Sequence, residues 1–119
     1  MLDWNKPTAL MLGRWQPWHQ GHQELFKKSL EKTGHVVIMV RSLPRSENNP
    51  YTFLQVKDRI EDALKEYQGR FEIIKVPNIT NICYGRDVGY KVEEIVLPDK
   101  IQAISATKIR KLNAAKNTI

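Results

Sequence analysis

Two histidines three residues apart, His19 and His22, flank a glycine in the run Gly13-Arg14-Trp15-Gln16-Pro17-Trp18-His19-Gln20-Gly21-His22. Imidazole donors at this spacing, at the start of a helix, can face the same anion. They can stabilise charge that builds on a phosphate during its transfer. Gly13 and Gly21 let the backbone pass close to such a ligand, and the first amides of the helix would favour it. Surface histidines and a metal pair are the competing readings. Metal ligation is the weaker, because the chain holds one further His and one Cys, neither at ligand spacing. Trp15 and Trp18 suit either a wall of the site or the core.

A site of this kind needs a strand that ends and a helix that begins around it. Thr8–Gly13 is a short apolar run closed by glycine and reads as a first strand. Gly21–Lys32 puts Leu25, Phe26 and Leu30 on one helical face with lysines opposite. Gly34 should stop that helix. His35–Val40 is apolar on both faces, as a central parallel strand would be. Ser42–Tyr51 is a loop rich in Pro, Asn and Ser. Thr52 and Gln55 have capping-box spacing, and the helix after them should run to about Tyr67. Phe71–Val76 reads as a strand closed by Pro77. Ile82–Tyr84 reads as a short fourth strand, Val88–Val96 as a weak helix, and Ile101–Ile104 as a last strand. Ser105–Ala115 is helix-permissive and basic. Strands alternating with helices predict an α/β fold. The expected architecture is a Rossmann-like, doubly wound parallel sheet of about five strands with helices on both faces. Ligands of such folds bind beyond the carboxyl ends of the strands.

Composition narrows the setting. The 119 residues are expected to form one domain, 1–119. The 41% apolar and 27% charged content fits a folded globule. The longest apolar run, Val36–Val40, is far short of the ~20 residues that span a bilayer. The N-terminus has no basic start followed by a long apolar stretch. With the single Cys83, no internal disulfide can form. The expectation is a cytoplasmic protein without a membrane partner. The net charge of +6 suits nucleic acid or small polyanions. Basic residues are scattered in runs of at most two, so no dedicated nucleic-acid arm is visible.

Gly13–His22 resembles the HxGH signature of the nucleotidylyltransferase superfamily. Ile104-Ser105-Ala106-Thr107-Lys108-Ile109-Arg110 resembles its second signature, ISxTxxR. The two stand in the family's order at opposite ends of the chain. The first is most like the GRFQPFHxGH form of archaeal-type nicotinamide mononucleotide adenylyltransferases, with tryptophan at two phenylalanine positions. Asn48-Asn49-Pro50-Tyr51-Thr52 followed by Asp58-Arg59 resembles their NPFT…ER segment.

The resemblance implies an enzyme that joins a nucleoside triphosphate to a phosphate-bearing small-molecule acceptor and releases pyrophosphate, with Mg²⁺ accompanying the triphosphate. It implies that His19, His22 and Arg110 act on the reacting phosphates. It places Gly13, Arg14, Trp15, Gln16, Gly21, Gly85, Asp87, Ser105 and Thr107 around the nucleotide. Simple N-capping is the other reading of Ser105 and Thr107, and an ordinary turn that of Tyr84–Asp87. Arg41 and Arg86 are the candidate acceptor contacts. Lys57 and Arg59 read as surface charge on an exposed helix face.

The pattern departs from the nicotinamide enzymes in three ways. The chain is shorter, it has no tryptophan after Trp18, and it stops nine residues after Arg110. Its length is nearer that of compact cytidylyltransferases acting with CTP on polyol or sugar phosphates. The ISxTxIR form leans towards adenylyl transfer. A non-catalytic nucleotide-binding module and an RNA-binding domain are the readings from other classes. A sheet this small could also use a second copy to cover an edge.

Overall fold

The computed structural model describes residues 2–86, 89–102, 104 and 106–116. The expectations for Asp87 and Ser105 lie outside the described residues. Strand β1 (Ala9–Gly13) leads through helix α1 (Gln20–Thr33) to strand β2 (Val36–Arg41). Helix α2 (Phe53–Ala63) then leads to strand β3 (Phe71–Val76). A single turn, α3 (Asp99–Gln102), precedes helix α4 (Ala106–Lys116). The sheet is parallel with β2 in the middle. Ala9 pairs with Val36 and Val36 with Phe71. The central place of β2 follows from its composition, Val-Val-Ile-Met-Val, which is apolar on both faces.

Val36, Ile38 and Val40 on one face of β2 join Met11, Phe26, Leu30, Val56, Ile60 and Leu64 in the hydrophobic core. Residues of α1 and α2 share this one cluster, so both helices lie on one side of the sheet, where two crossovers of the usual right hand made in the same direction would put them. Each fully buried Leu, Ile or Phe side chain contributes about 1.5–3 kcal/mol, so this cluster is the main source of stability. The opposite face carries Leu10, Leu12, Val37 and Met39 and is only partly covered, Leu10 being 46% exposed.

The local signals act as expected in this half. Gly34 closes α1 at φ 81°, and its N–H donates to the Leu30 carbonyl at 2.7 Å. The Gln55 N–H donates to Thr52 Oγ1 at 3.2 Å, and the Thr52 N–H to Gln55 Oε1 at 2.9 Å. Helix α2 ends at Ala63, earlier than expected. Leu64 leaves the helical region (φ −110°, ψ 17°) while staying fully buried. A 3₁₀ turn, Lys65–Tyr67, follows.

The last third differs from the sequence reading. The described residues form three strands, not about five. Ile82–Tyr84 is exposed and outside any strand. Residues 89–96 form no helix; Val92 is 72% and Val96 74% exposed, so no packed face supports one. Ile101 lies in α3 rather than in a strand, and the Pro98 carbonyl accepts from the N–H groups of both Ile101 and Gln102. An isolated apolar run becomes a strand only when a neighbour takes its backbone groups. Here the local turn takes them instead. The expected last helix is present as α4. Among the described residues no helix is long and apolar enough to cross a membrane.

Candidate active site

The loop 14–19 leaves the carboxyl end of β1 and enters α1. His19 is the N-cap of α1, with extended backbone (φ −141°, ψ −178°). Its Nδ1 accepts the Gly21 N–H at 3.0 Å, and the His19 N–H donates to His22 Nδ1 at 3.2 Å. Histidine thus performs the capping that Ser, Thr or Asp usually perform. A nitrogen that accepts a backbone N–H carries no proton itself. In both neutral rings the proton therefore sits on Nε2, which is left as a donor. The two imidazoles stack, with centroids 3.6 Å apart and planes 19° from parallel.

Electrostatics keeps the pair neutral. Burial, and then the neighbouring His19, push His22 down to about 3. Burial, and then the Arg59 guanidinium, hold His19 below the ordinary histidine value. Near neutral pH the pair presents two uncharged N–H donors, not two cations. Fixed positive charge near these strand ends is carried by other side chains, Arg41, Arg45 and Lys75 in a cavity there and Arg110 at the Gln16 carbonyl.

Both glycines of the motif are required by close approach. A Cβ on Gly21 would stand 2.8 Å from His19 Cε1, and one on Gly13 would stand 2.9 Å from the Trp15 ring. Trp15 is buried at φ 55°, and its indole N–H donates to the Met39 carbonyl at 3.1 Å. Trp15 and Trp18 are therefore core residues that flank the site. Each ring touches the His22 ring, at centroid distances of 4.7 and 5.5 Å.

Gln16 uses its whole amide on the backbone of Tyr51. Nε2 donates to the Tyr51 carbonyl at 3.1 Å, and Oε1 accepts the Tyr51 N–H at 3.0 Å. Its own carbonyl accepts Nη1 of Arg110 at 2.6 Å. Arg110 is buried, and its Nη2 donates to Thr107 Oγ1 at 3.1 Å. Two motifs that stand 94 residues apart thus meet directly. Ile101 adds a second approach, its carbonyl lying 3.7 Å from where a Gly21 Cβ would be. Thr107 itself is exposed.

Arg14 lies half-buried, and its Nη1 donates to Asn49 Oδ1 at 3.4 Å. Arg41 lines a cavity of about 190 Å³ beyond the ends of β2 and β3, with Arg45, Lys75, Asn49 and Tyr51. The described lining carries three cationic side chains and no carboxylate. Arg41 Nη2 donates to Asn78 Oδ1 at 2.9 Å, while its Nε is buried without a hydrogen-bond partner among the described residues. Gly85 and Arg86 are exposed in the segment after β3. No hydrogen bond joins them to the His19–His22 loop among the described residues.

Sequence reasoning missed Arg45 and Lys75 and took Arg59 for surface charge. Arg59 is half-buried, and its Nε donates to the Trp18 carbonyl at 2.8 Å. The only hint was its place in the segment resembling NPFT…ER. Among the described residues no group of three or more His, Cys, Asp or Glu gathers as metal ligands.

A family model described as cytidylyltransferase-like matches residues 10–80. A nicotinamide-nucleotide adenylyltransferase of Methanococcus vannielii is 36% identical over 73 residues, covering 60% of this chain and 42% of that protein. One of Methanococcus maripaludis is 28% identical over 111 residues, covering 92% of this chain and 63% of that protein. The chain thus spans about half the length of these relatives. Among solved structures, a bifunctional NMN adenylyltransferase/ADP ribose pyrophosphatase from Francisella tularensis, complexed with AMP and a manganese ion, matches at 26% identity and a TM-score of 0.49. That match covers 60% of this chain and 22% of the other.

Proposed function

The chain belongs to the cytidylyltransferase-like family, and on that premise we propose that it is a nucleotidylyltransferase that moves AMP from ATP to a phosphate-bearing small-molecule acceptor. The observation that carries this reading is the reciprocal cap. Each imidazole gives its Nδ1 to a backbone N–H, and both Nε2–H donors remain for an anion at the carboxyl end of β1.

The reaction follows from these parts. An acceptor phosphate oxygen attacks the α-phosphorus of ATP, and pyrophosphate leaves. Negative charge shifts onto the bridging and non-bridging oxygens, where neutral donors held in place act without reorganising. Arg110, already fixed on Gln16, supplies positive charge beside the same loop. Ser105 and Thr107 would take the outer phosphates, Thr107 from the first turn of α4. Magnesium would come with the substrate, bound to the triphosphate, and would offset its charge.

The cationic cavity at the ends of β2 and β3 suits the acceptor's phosphate, with Arg41, Arg45 and Lys75 around it. Proteins similar to this chain carry the name nicotinamide-nucleotide adenylyltransferase. Nicotinamide mononucleotide is therefore the first acceptor to try. Calorimetry with ATP, CTP, GTP and UTP, each with Mg²⁺, tests the reading, followed by pyrophosphate release with the acceptor. Selection of ATP and acceptor-dependent release of pyrophosphate are expected. Selection of CTP would replace adenylyl by cytidylyl transfer. Binding of no nucleotide, with or without acceptor, would overturn the enzyme reading.

A further inference from the structure

Trp18 immediately precedes the cap residue His19, so its carbonyl lies outside the hydrogen-bond ladder of α1. Helix α2 grips it from two sides. Arg59 Nε donates to the Trp18 carbonyl at 2.8 Å. The Trp18 indole N–H donates to Gln23 Oε1 at 3.0 Å, and Gln23 Nε2 donates to the Ala63 carbonyl at 3.1 Å. Ala63 ends α2, so its carbonyl is one of those a helix leaves without an internal partner. Trp18 is buried against Trp15 and the His22 ring. A shift of Trp18 must therefore shift both imidazoles.

We propose that Arg59 is a positioning residue for the reaction, holding the His19–His22 pair through the Trp18 carbonyl. The role rests on the nucleotidylyl-transfer reading given above. Arg59 also shares an open cleft of about 460 Å³ with His19 and Asp62. The other titratable and charged groups on the elements packed against this part of the chain are His22 on the same helix, Asp99 and Lys100 on α3, which packs against α1, and Arg110 on α4, which reaches the Gln16 carbonyl. Of these neighbours, Arg59 is the one whose charge disfavours protonation of His19. A neutral His19 keeps Nδ1 open to the Gly21 N–H, so the Arg59 charge adds to burial in favouring the ring form that caps α1. Arg59 reaches its target with a side-chain N–H that lysine lacks at that position.

Arg59→Gln and Arg59→Lys, compared with the wild-type chain, test this. Histidine Cε1–H signals are followed by NMR through a pH titration without substrate. Turnover is followed by pyrophosphate release. In Arg59→Gln, His19 should titrate at higher pH than in the wild type. Its kcat should fall about 10- to 100-fold, as for a displaced catalytic group, with KM for MgATP near the wild-type value. Arg59→Lys should keep the His19 titration and still lose kcat, because the charge stays and the bond to Trp18 does not. A lysine variant with wild-type kcat would overturn the positioning role, as would a glutamine variant with wild-type titration and kcat. Should Arg59→Gln not fold, the kcat of Arg59→Lys decides. Should the wild type turn over no nucleotide, the transfer reading fails by itself. The NMR arm still decides: unmoved His19 and His22 signals in both variants would overturn the positioning role, and shifted ones support it.

Discussion

Between Ala9 and Val76 each strand has a neighbour, and α1 and α2 both face the core. From Pro77 to Pro98 the described residues form neither helix nor strand. Within that segment Glu93 pairs with Lys32 of α1; the chain then returns in α3, which packs on α1, and in α4, from which Arg110 reaches Gln16 and Asn113 reaches Tyr51. The Lys32–Glu93 pair is exposed, and such pairs contribute about 0–1 kcal/mol. The first region is held by buried area and the second by direction. Buried area organises a long stretch of chain at once, whereas a hydrogen bond fixes only the point where it forms. The histidine pair therefore has its geometry from local capping, while the link from Arg110 to the other region is, among the described residues, a single bond to the Gln16 carbonyl.

The largest effect should come from the first region. His22→Ala should lower pyrophosphate release about 10²–10⁴-fold, the range for a lost acid–base or donor group. The same change should lower stability in denaturant by only about 0.5–2 kcal/mol, as for a lost cap. Surviving turnover would move the reacting centre away from this loop. Acid should be the next strongest perturbation. His22 falls from 6.5 unfolded to about 3 folded, so between these values the unfolded chain binds more protons. Stability is full above about pH 6.5 and should decline as the pH falls towards 3. His22→Asn should flatten that limb in urea melts taken across the range. An unchanged limb would mean that His22 is not buried neutral.

Arg110→Ala tests the link between the regions. It leaves the Gln16 carbonyl without that donor, a loss of about 1–3 kcal/mol. Hydrogen exchange should quicken in α4 and stay slow in β2, because the two regions open separately. Equal quickening in both would show one cooperative unit. The smallest contrast sets two glycines side by side. Gly21→Ala should cost about 1–3 kcal/mol by overpacking the His19 ring. Gly85→Ala has open space around it and should change stability by less than about 0.5 kcal/mol in the same melts.

Legibility in the sequence followed the same division. The Thr52–Gln55 box, the Gly34 stop, the central strand and the strand Phe71–Val76 were all readable, because each depends on neighbours in sequence or on a clear apolar period. Ile82–Tyr84 and Ile101 have the composition of strands but no ladder partner among the described residues, and composition does not reveal partners. Histidine as an N-cap was not foreseen, since that place usually goes to Ser, Thr, Asp or Asn. Arg59 looked like surface charge because helical periodicity separates apolar from polar faces. It does not say which polar residue meets a loop.

By itself the sequence determined the parallel α/β order of the first region and the two signatures that point to phosphate chemistry. Local propensity and hydrophobic period suffice for that, since both act over a few residues. Only the tertiary structure decided that Gln16 clamps Tyr51, that Arg110 reaches Gln16, and that Arg59 holds Trp18. Those bonds join residues 35, 94 and 41 positions apart. Each exists because a folded core brings a donor within about 3 Å of a backbone carbonyl that no neighbour in sequence could satisfy.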